Sequence, residues 1–318
     1  MGRDCRAKMG AQRMENDMNI SPGKGREFDL TGHACVVTGA AQGIGAAEAR
    51  LLARRGATVL CVDLQDTGPV VDEIRDAGGA ALSWHGDVTA RGAAEDILAA
   101  AAGTGAPVSI LVNNAGVVRD RMVFNLDDAD WDTVLAVNLT APFRLCRALA
   151  RHWRGQPRRA GRRIINTSSE SGLYGNAGQS NYAAAKAGLA ALTLTLAAEL
   201  SRYGATVNAI APRARTPMSE AAFGELPGGA DGLPPEGVAA MVGWLAGPSG
   251  EDVTGQVFVV AGDTVQRMCP WSPVRAARQP QEWSPESSSG FRAELFGDEA
   301  TRHEPAPISA LFTGRAGA

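Results

Sequence analysis

From His33 onward, short apolar runs rich in β-branched residues alternate with longer alanine- and leucine-rich stretches of helical period. The runs at 34–38, 58–63, 80–86, 110–113, 163–167, 206–211 and 256–260 are predicted strands. Helices are predicted between them, as at 45–55, 131–153 and 182–202. Strands that are apolar throughout, joined by helical crossovers, belong to a parallel sheet covered on both faces. The predicted fold is α/β: one doubly wound domain, seven parallel strands with helices on both faces, and its ligand at the carboxyl ends of the strands.

The pattern is bounded on both sides. Residues 1–28 are polar, contain glycine and lack periodicity, and read as a flexible N-terminal tail. The catalytic domain is expected to span 29–265. Residues 266–318 form a C-terminal extension, an arm or a partly disordered segment. Its Trp271, Trp283, Phe291 and Phe296 favour an arm packed on its own or a neighbouring subunit. Between 151 and 163 stand six arginines among Gly, Pro and Gln. They read as a solvated loop before the next strand, or alternatively as a docking patch for an acidic carrier or a phosphate-bearing substrate.

Charge adds little. With 31 basic and 34 acidic side chains the net charge is −3, so no global field argues for nucleic acid. No apolar run is read as approaching the roughly 20 residues needed to span a bilayer, and the polar start has no expected signal-peptide core. The five cysteines show no metal or redox spacing, and Cys35 and Cys61 lie inside strand-like runs, as expected of buried reduced thiols. The expected location is cytoplasmic, with no metal.

Chemistry enters at the first turn. Thr38-Gly39-Ala40-Ala41-Gln42-Gly43-Ile44-Gly45 follows a predicted strand and opens a predicted helix. Glycines there allow a tight turn and a close approach of backbone to a pyrophosphate, which then faces unpaired N–H groups at the helix start. Asp63 ends the second strand, 18 residues after Gly45. A carboxylate there bonds ribose hydroxyls and repels a 2′-phosphate, and neither Gln42 nor Leu64 supplies a cation, so NAD is expected rather than NADP.

Further along, Tyr182 and Lys186 stand four apart, on one face of a predicted helix. Bringing a phenol from a pKa near 10 to about 7 requires roughly 4 kcal/mol of preference for the phenolate. An adjacent ammonium and the cationic ring of oxidised NAD are the expected sources. Ser169, 13 residues before Tyr182, can hold a substrate oxygen while the phenol exchanges its proton. Asn138 interrupts an apolar helical segment, either satisfying backbone locally or holding a water in a proton relay.

Taken in order, Thr38-Gly39-x3-Gly43-x-Gly45, Asp87, Asn113-Asn114-Ala115-Gly116, Asn138, Ser169 and Tyr182-x3-Lys186 resemble the short-chain dehydrogenase/reductase family over about residues 29 to 265. The resemblance implies a Rossmann fold and a catalytic tetrad of Asn138, Ser169, Tyr182 and Lys186. It implies a cofactor set of Gly39, Gln42, Gly43, Ile44, Gly45, Asp63, Asp87, Val88, Asn114, Ala115, Gly116, Tyr182, Lys186 and Thr216. Asp87 would lie near the adenine, Asn113 would steady the central sheet, and a homodimer or homotetramer is implied.

One stretch departs from the family pattern. Members often carry Pro-Gly after the sixth strand, where this chain has Pro212-Arg213-Ala214-Arg215-Thr216. If position 213 required positive φ, an arginine would be strained there, so a rebuilt loop with outward-facing Arg213 and Arg215 is expected; contact of either with a coenzyme A phosphate is the alternative. The shortened loop resembles the 3-hydroxyacyl-CoA dehydrogenase modules of multifunctional β-oxidation enzymes, and residues 175–182 resemble 3-oxoacyl-thioester reductases. The implied activity is hydride transfer between NAD(H) and a secondary alcohol or ketone, a 3-hydroxyacyl thioester or a hydroxysteroid. A secondary-metabolite ketoreductase, a cyclic-alcohol dehydrogenase and a catalytically silent dinucleotide-binding regulator are the alternatives.

Overall fold

In a computed structural model, residues 28–214, 233–269, 271–277 and 291–297 are described. Eight strands form one sheet in the order β3-β2-β1-β4-β5-β6-β7-β8. These are β1 (Ala34–Thr38), β2 (Thr58–Asp63), β3 (Ala80–His85), β4 (Val108–Asn113), β5 (Arg162–Thr167), β6 (Ala205–Arg213), β7 (Val257–Ala261) and β8 (Thr264–Arg267). The seven predicted strands pair in parallel, as their apolar runs imply. The eighth, β8, was not predicted: it returns antiparallel along β7 from Thr264 to Arg267, carrying the sheet past Val265. Beyond Met268 the chain belongs to a second compact unit, in which Phe291–Phe296 is helical.

Alternate side chains on the strands feed opposite faces. Cys35, Val37, Val59, Cys61, Ile110 and Val112 pack on one side with Leu52 of α1 (Gly43–Arg54). Ala34, Val36, Leu60, Val62 and Leu111 pack on the other with buried Leu and Trp residues of the helices described below. Cys35, Cys61 and Cys146 are buried free thiols. Between β2 and β4 run α2 (Gly68–Asp76) and α3 (Ala93–Ala102).

The predicted helix over 131–153 is three consecutive pieces: α4 (Asp128–Leu135), a π-helical turn (Ala136–Thr140) and α5 (Ala141–Arg154). The π turn is centred on Asn138, as such bulges often are at functional positions. After β5 come the five-residue α6 (Glu170–Tyr174) and the long α7 (Ser180–Leu200). Leu145, Leu149 and Trp153 of α5 and Leu196 and Leu200 of α7 complete the second core face. The α7 segment, through Tyr203, is apolar and long enough to cross a membrane, but nearly half of it is buried in the protein core.

The arginine run is not uniformly solvated. Arg162 and Arg163 are buried at the start of β5. Arg162 stacks over Trp153 and donates to Tyr203 O at 2.9 Å and to Gln156 Oε1 at 3.0 Å. Its alkyl stem and flat guanidinium seal the base of the sheet, a role invisible without the partners.

The helix α8 (Pro235–Ala246) packs on α1 and supplies Val238, Val242 and Leu245 to the first core face. Inside α1, Glu48 is fully buried, and neither carboxylate oxygen has a hydrogen-bond partner. Burial pushes its pKa up to about 8. Between the ordinary carboxylate value and about 8 the folded protein therefore holds more protons than the unfolded chain, so stability falls as pH rises through that window. Glu48→Gln is expected to raise the melting temperature by about 3 °C or more at pH 8 and by much less at pH 5. Scanning calorimetry at the two pH values checks this; an equal shift at both contradicts it.

Candidate active site

All seven parallel strands end at the same edge of the sheet, and the loops leaving them enclose a cavity of about 510 Å3. One end is built by the turn from β1 into α1. Gly39 takes φ +70°, and a Cβ there would lie 2.9 Å from Ala115 Cα, so the turn is pressed against the strand beside it. At Gly45 a Cβ would run into the carbonyl oxygen of Gly39, which explains why that position bears hydrogen. Gln42, the N-cap of α1, places no side chain on the first-turn N–H groups. Those donors stay available to an anion, with the positive end of the helix dipole behind them.

Thr38 and Asn114 stitch the turn to β4. Thr38 Oγ1 accepts from the backbone N–H groups of Asn114 and Ala115, both at 3.1 Å. Asn114 Nδ2 donates back to Thr38 O at 3.0 Å. Underneath, Asn113 Nδ2 donates to Asn166 Oδ1 at 2.8 Å, and Asn166 donates onward to Thr193 Oγ1, tying β4, β5 and α7 together.

Asp63 lines the cavity at the end of β2. Its carboxylate accepts from Ala41 N at 3.0 Å and Gln65 N at 2.9 Å, which holds it against the glycine turn. The cations among the described lining residues are Arg119 and Lys186, on the segments that carry Tyr182 and its contacts. Asp87 accepts from the amide and hydroxyl of Thr89 and lines the same cavity beside Val88.

At the other end stand Ser169, Tyr182 and Lys186. Tyr182 and Lys186 share one face of α7, and Lys186 Nζ lies 5.5 Å from the centre of the Tyr182 ring. Lys186 is buried and donates to Thr167 O at 2.7 Å. Burial pushes its pKa down to about 7, since desolvation disfavours the charged amine. The Tyr182 phenol is pushed up to about 12, first by burial and also by the Asp120 carboxylate; its hydrogen bond to Ser169 acts in the opposite direction. Without a coenzyme, burial disfavours the charged form of both side chains, against the acidification expected from the ammonium and the cationic ring of oxidised NAD together.

Asn138 does not line the cavity but lies directly behind it. Its Nδ2 donates to Val117 O at 2.8 Å and Val134 O at 2.9 Å, while its Oδ1 is buried without a protein partner. A Cβ on Gly116 would meet Asn138 Oδ1 at 2.7 Å and Lys186 Nζ at 3.5 Å, so the two polar groups converge on the surface of Gly116. Both expected roles of Asn138 therefore have a separate half of the amide to serve them.

The other expected residues divide clearly. Gly39, Gln42, Gly43, Ile44, Asn114, Ala115 and Gly116 line the cavity, and Gly45 packs beneath it. Thr216 and Arg215 lie outside the described residues. Arg213 is not outward-facing: it ends β6 in extended backbone, is buried, and donates to Glu170 through Nε and Nη2 at 2.9 to 3.2 Å. No positive φ is required there, since the strand register with β7 continues through Arg213. Sequence reasoning missed Ser168, whose Oγ donates to Lys186 O at 2.8 Å, and the pocket walls Val117, Val118, Pro212 and Ala214. Only the doubled serine could have signalled the first.

The geometry fits a dinucleotide lying along the strand ends, with Asp63 and the glycine turn at one end and the Tyr182 phenol at the other. The family model for short chain dehydrogenase matches residues 33–225. The chain is 47% identical over 270 residues to the hydroxyacyl-CoA dehydrogenase ChsB1 of Mycobacterium tuberculosis, covering 80% of this chain and 85% of that one. It is 39% identical over 247 residues to the 3-oxoacyl-[acyl-carrier-protein] reductase FabG of Vibrio cholerae, covering 74% of this chain and 98% of that one. A crystal structure of a short chain dehydrogenase from Mycobacterium avium superposes with a TM-score of 0.79 at 39% identity, covering 88% of this chain and 98% of that one. The chain thus belongs to the short-chain dehydrogenase/reductase family of oxidoreductases.

Proposed function

We propose that the protein is an NAD-dependent dehydrogenase of 3-hydroxyacyl thioesters, with coenzyme A as the thiol. The observation that carries the reading is a single cavity with Ser169, Tyr182 and Lys186 at one end and the Asp63 carboxylate at the other. Relatives whose names specify hydroxyacyl-CoA and 3-oxoacyl carrier-protein chemistry support the substrate class.

Bound here, oxidised NAD would supply a hydride acceptor and a positive charge. The residues that would hold it are Gly39, Gln42, Gly43, Ile44 and Gly45 at the pyrophosphate, Asp63 at the adenosine ribose, Asp87 and Val88 at the adenine, and Asn114, Ala115 and Gly116 further along. Lys186 has donors beyond the one committed to Thr167 O, and these suit ribose hydroxyls. Ser169 orients the substrate oxygen, and Tyr182 takes the alcohol proton in oxidation or returns it in reduction. A water accepting from Lys186 and donating to the Asn138 oxygen would complete the relay, taking the proton from Lys186 and giving one of its own on towards solvent. Because the chain holds the phenol protonated, the chain alone is set for the acid role; the base role needs positive charge brought into the cavity. Exposed Trp131 and Phe143 on α4 and α5 suit burial in a homodimer or homotetramer, and buried thiols suit a reducing, cytoplasmic setting.

Tyr182→Phe is expected to lower turnover at least about a hundredfold while the dissociation constant for NADH stays within about twofold. Stopped-assay turnover and coenzyme fluorescence measure the two; retained turnover would remove Tyr182 from the chemistry. NADH is expected to bind at least about tenfold more tightly than NADPH, and Asp63→Ala to erase most of that gap. Titration with each coenzyme checks this, and tighter NADPH binding by the parent chain contradicts the NAD assignment. The parent chain is expected to reduce NAD with 3-hydroxyacyl-CoA substrates; activity confined to hydroxysteroids or small cyclic alcohols would overturn the thioester reading.

A further inference from the structure

Ser169 must hold a substrate oxygen within a few tenths of an ångström, yet the element that follows it cannot hold itself. The helix α6 has five residues, too short to be stable on its own backbone bonds. Its cap is weak: Ser169 Oγ accepts from Ser171 N at 3.2 Å. The position of Ser169 therefore depends on what anchors its neighbours.

On the preceding side, Ser168 is fastened twice, its N–H donating to Ile210 O at 2.6 Å and its Oγ to Lys186 O at 2.8 Å. On the following side, the Glu170 carboxylate is gripped by Arg213, with Nη2 reaching both carboxylate oxygens at 3.2 and 2.9 Å and Nε reaching Oε2 at 3.1 Å. Both side chains are about 7% exposed. Arg213 lies between Pro212 and Ala214, which line the cavity, so the ion pair ties the serine loop to the end of β6 from behind the lining residues.

We propose that Glu170 and Arg213 are positioning residues for the reaction, an ion-pair clamp that holds Ser169 at the substrate oxygen. Desolvating two charges consumes most of what their attraction returns, so a buried pair is poorly explained as a source of stability; fixing one geometry is what a forked guanidinium does well. The two positions are also interdependent. A glycine at 213 would remove the three guanidinium bonds to the buried Glu170 carboxylate, and an apolar residue at 170 would remove the acceptor of those bonds.

This inference rests on the reading that Ser169 and Tyr182 exchange the proton. The charged and polar groups facing Tyr182 are Ser169, Asp120 and Lys186. Among them only Ser169 adjoins the clamp, and its hydrogen bond draws the phenol pKa down. Loosening the clamp should therefore move the pH profile as well as the rate.

The test is steady-state oxidation of a 3-hydroxyacyl-CoA by Arg213→Gln, Arg213→Lys and Glu170→Gln, with the dissociation constant for NADH measured on each. Arg213→Gln is expected to lower kcat at least about tenfold, with KM and NADH binding within about twofold. The apparent pKa of kcat/KM for oxidation should rise by about half a unit or more. Arg213→Lys, cationic but without the fork, should recover part of kcat. The Glu170→Gln/Arg213→Gln double variant should lose less than the two single variants combined, because both single variants break the same Glu170–Arg213 contact. Glu170→Gln keeps the side-chain shape and gives the same reading if Arg213→Gln does not fold. An unchanged kcat, a loss of kcat with an unmoved pH profile, or an equal loss of NADH binding would each overturn the clamp. Tyr182→Phe separates the two ideas: retained turnover there defeats the proton-exchange reading, whereas lost turnover there with an unaffected Arg213→Gln defeats the clamp alone.

Discussion

Burial sets the electrostatics of this protein. Lys186 and Tyr182 are withdrawn from water side by side on α7, and each responds by favouring its neutral form: the amine is pushed down to about 7 and the phenol up to about 12. A solvated Tyr-x3-Lys pair would do neither, and on the surface of a helix it would have no chemistry. Inside the cavity it becomes a site primed to respond to charge, because any cation placed beside the phenol acts through a medium that screens it poorly. In the proposed function, the cationic coenzyme supplies the charge that favours the phenolate.

That arrangement requires the fold around it. Parallel strands deliver β1, β2, β4, β5 and β6 to one edge, which brings a glycine turn, a carboxylate, an amide-rich strand end and the serine loop into a single cavity. The asparagine ladder from Asn113 through Asn166 to Thr193 locks the central strands to α7, the helix that carries Tyr182 and Lys186. The π turn at Asn138 then places an amide behind Gly116, one half bonded to backbone and the other turned towards the lysine. Each tie links segments distant in sequence. The site is thus a property of the sheet rather than of any one motif.

What could be read from the sequence follows the same division. Apolar runs and their helical separators state the order and type of the parallel strands, because a strand buried on both faces must be apolar throughout. Strand β8 escaped, since Thr264, Val265, Gln266 and Arg267 alternate in exposure and form too short a run to stand out. Asp63 and the glycine turn were legible because their chemistry depends on position along one strand-turn-helix unit. Arg213 was not. Its meaning lies in Glu170, 43 residues earlier, and a lone arginine in a loop reads as solvated until its partner is seen. Arg162 was misread in the same way, its partners Trp153 and Tyr203 lying on other elements. Nor can spacing reveal desolvation, which disfavours the charged forms of both Tyr182 and Lys186.

The most direct measurement is the near-ultraviolet titration of the phenols, practical because the chain has three tyrosines, Tyr174, Tyr182 and Tyr203. Assigned by difference against Tyr182→Phe, the Tyr182 transition should lie well above neutrality in the protein alone. It should fall by several units on saturation with oxidised NAD, and not with NADH. A phenol already ionised near neutrality without coenzyme, or one indifferent to the coenzyme's charge, would contradict the account.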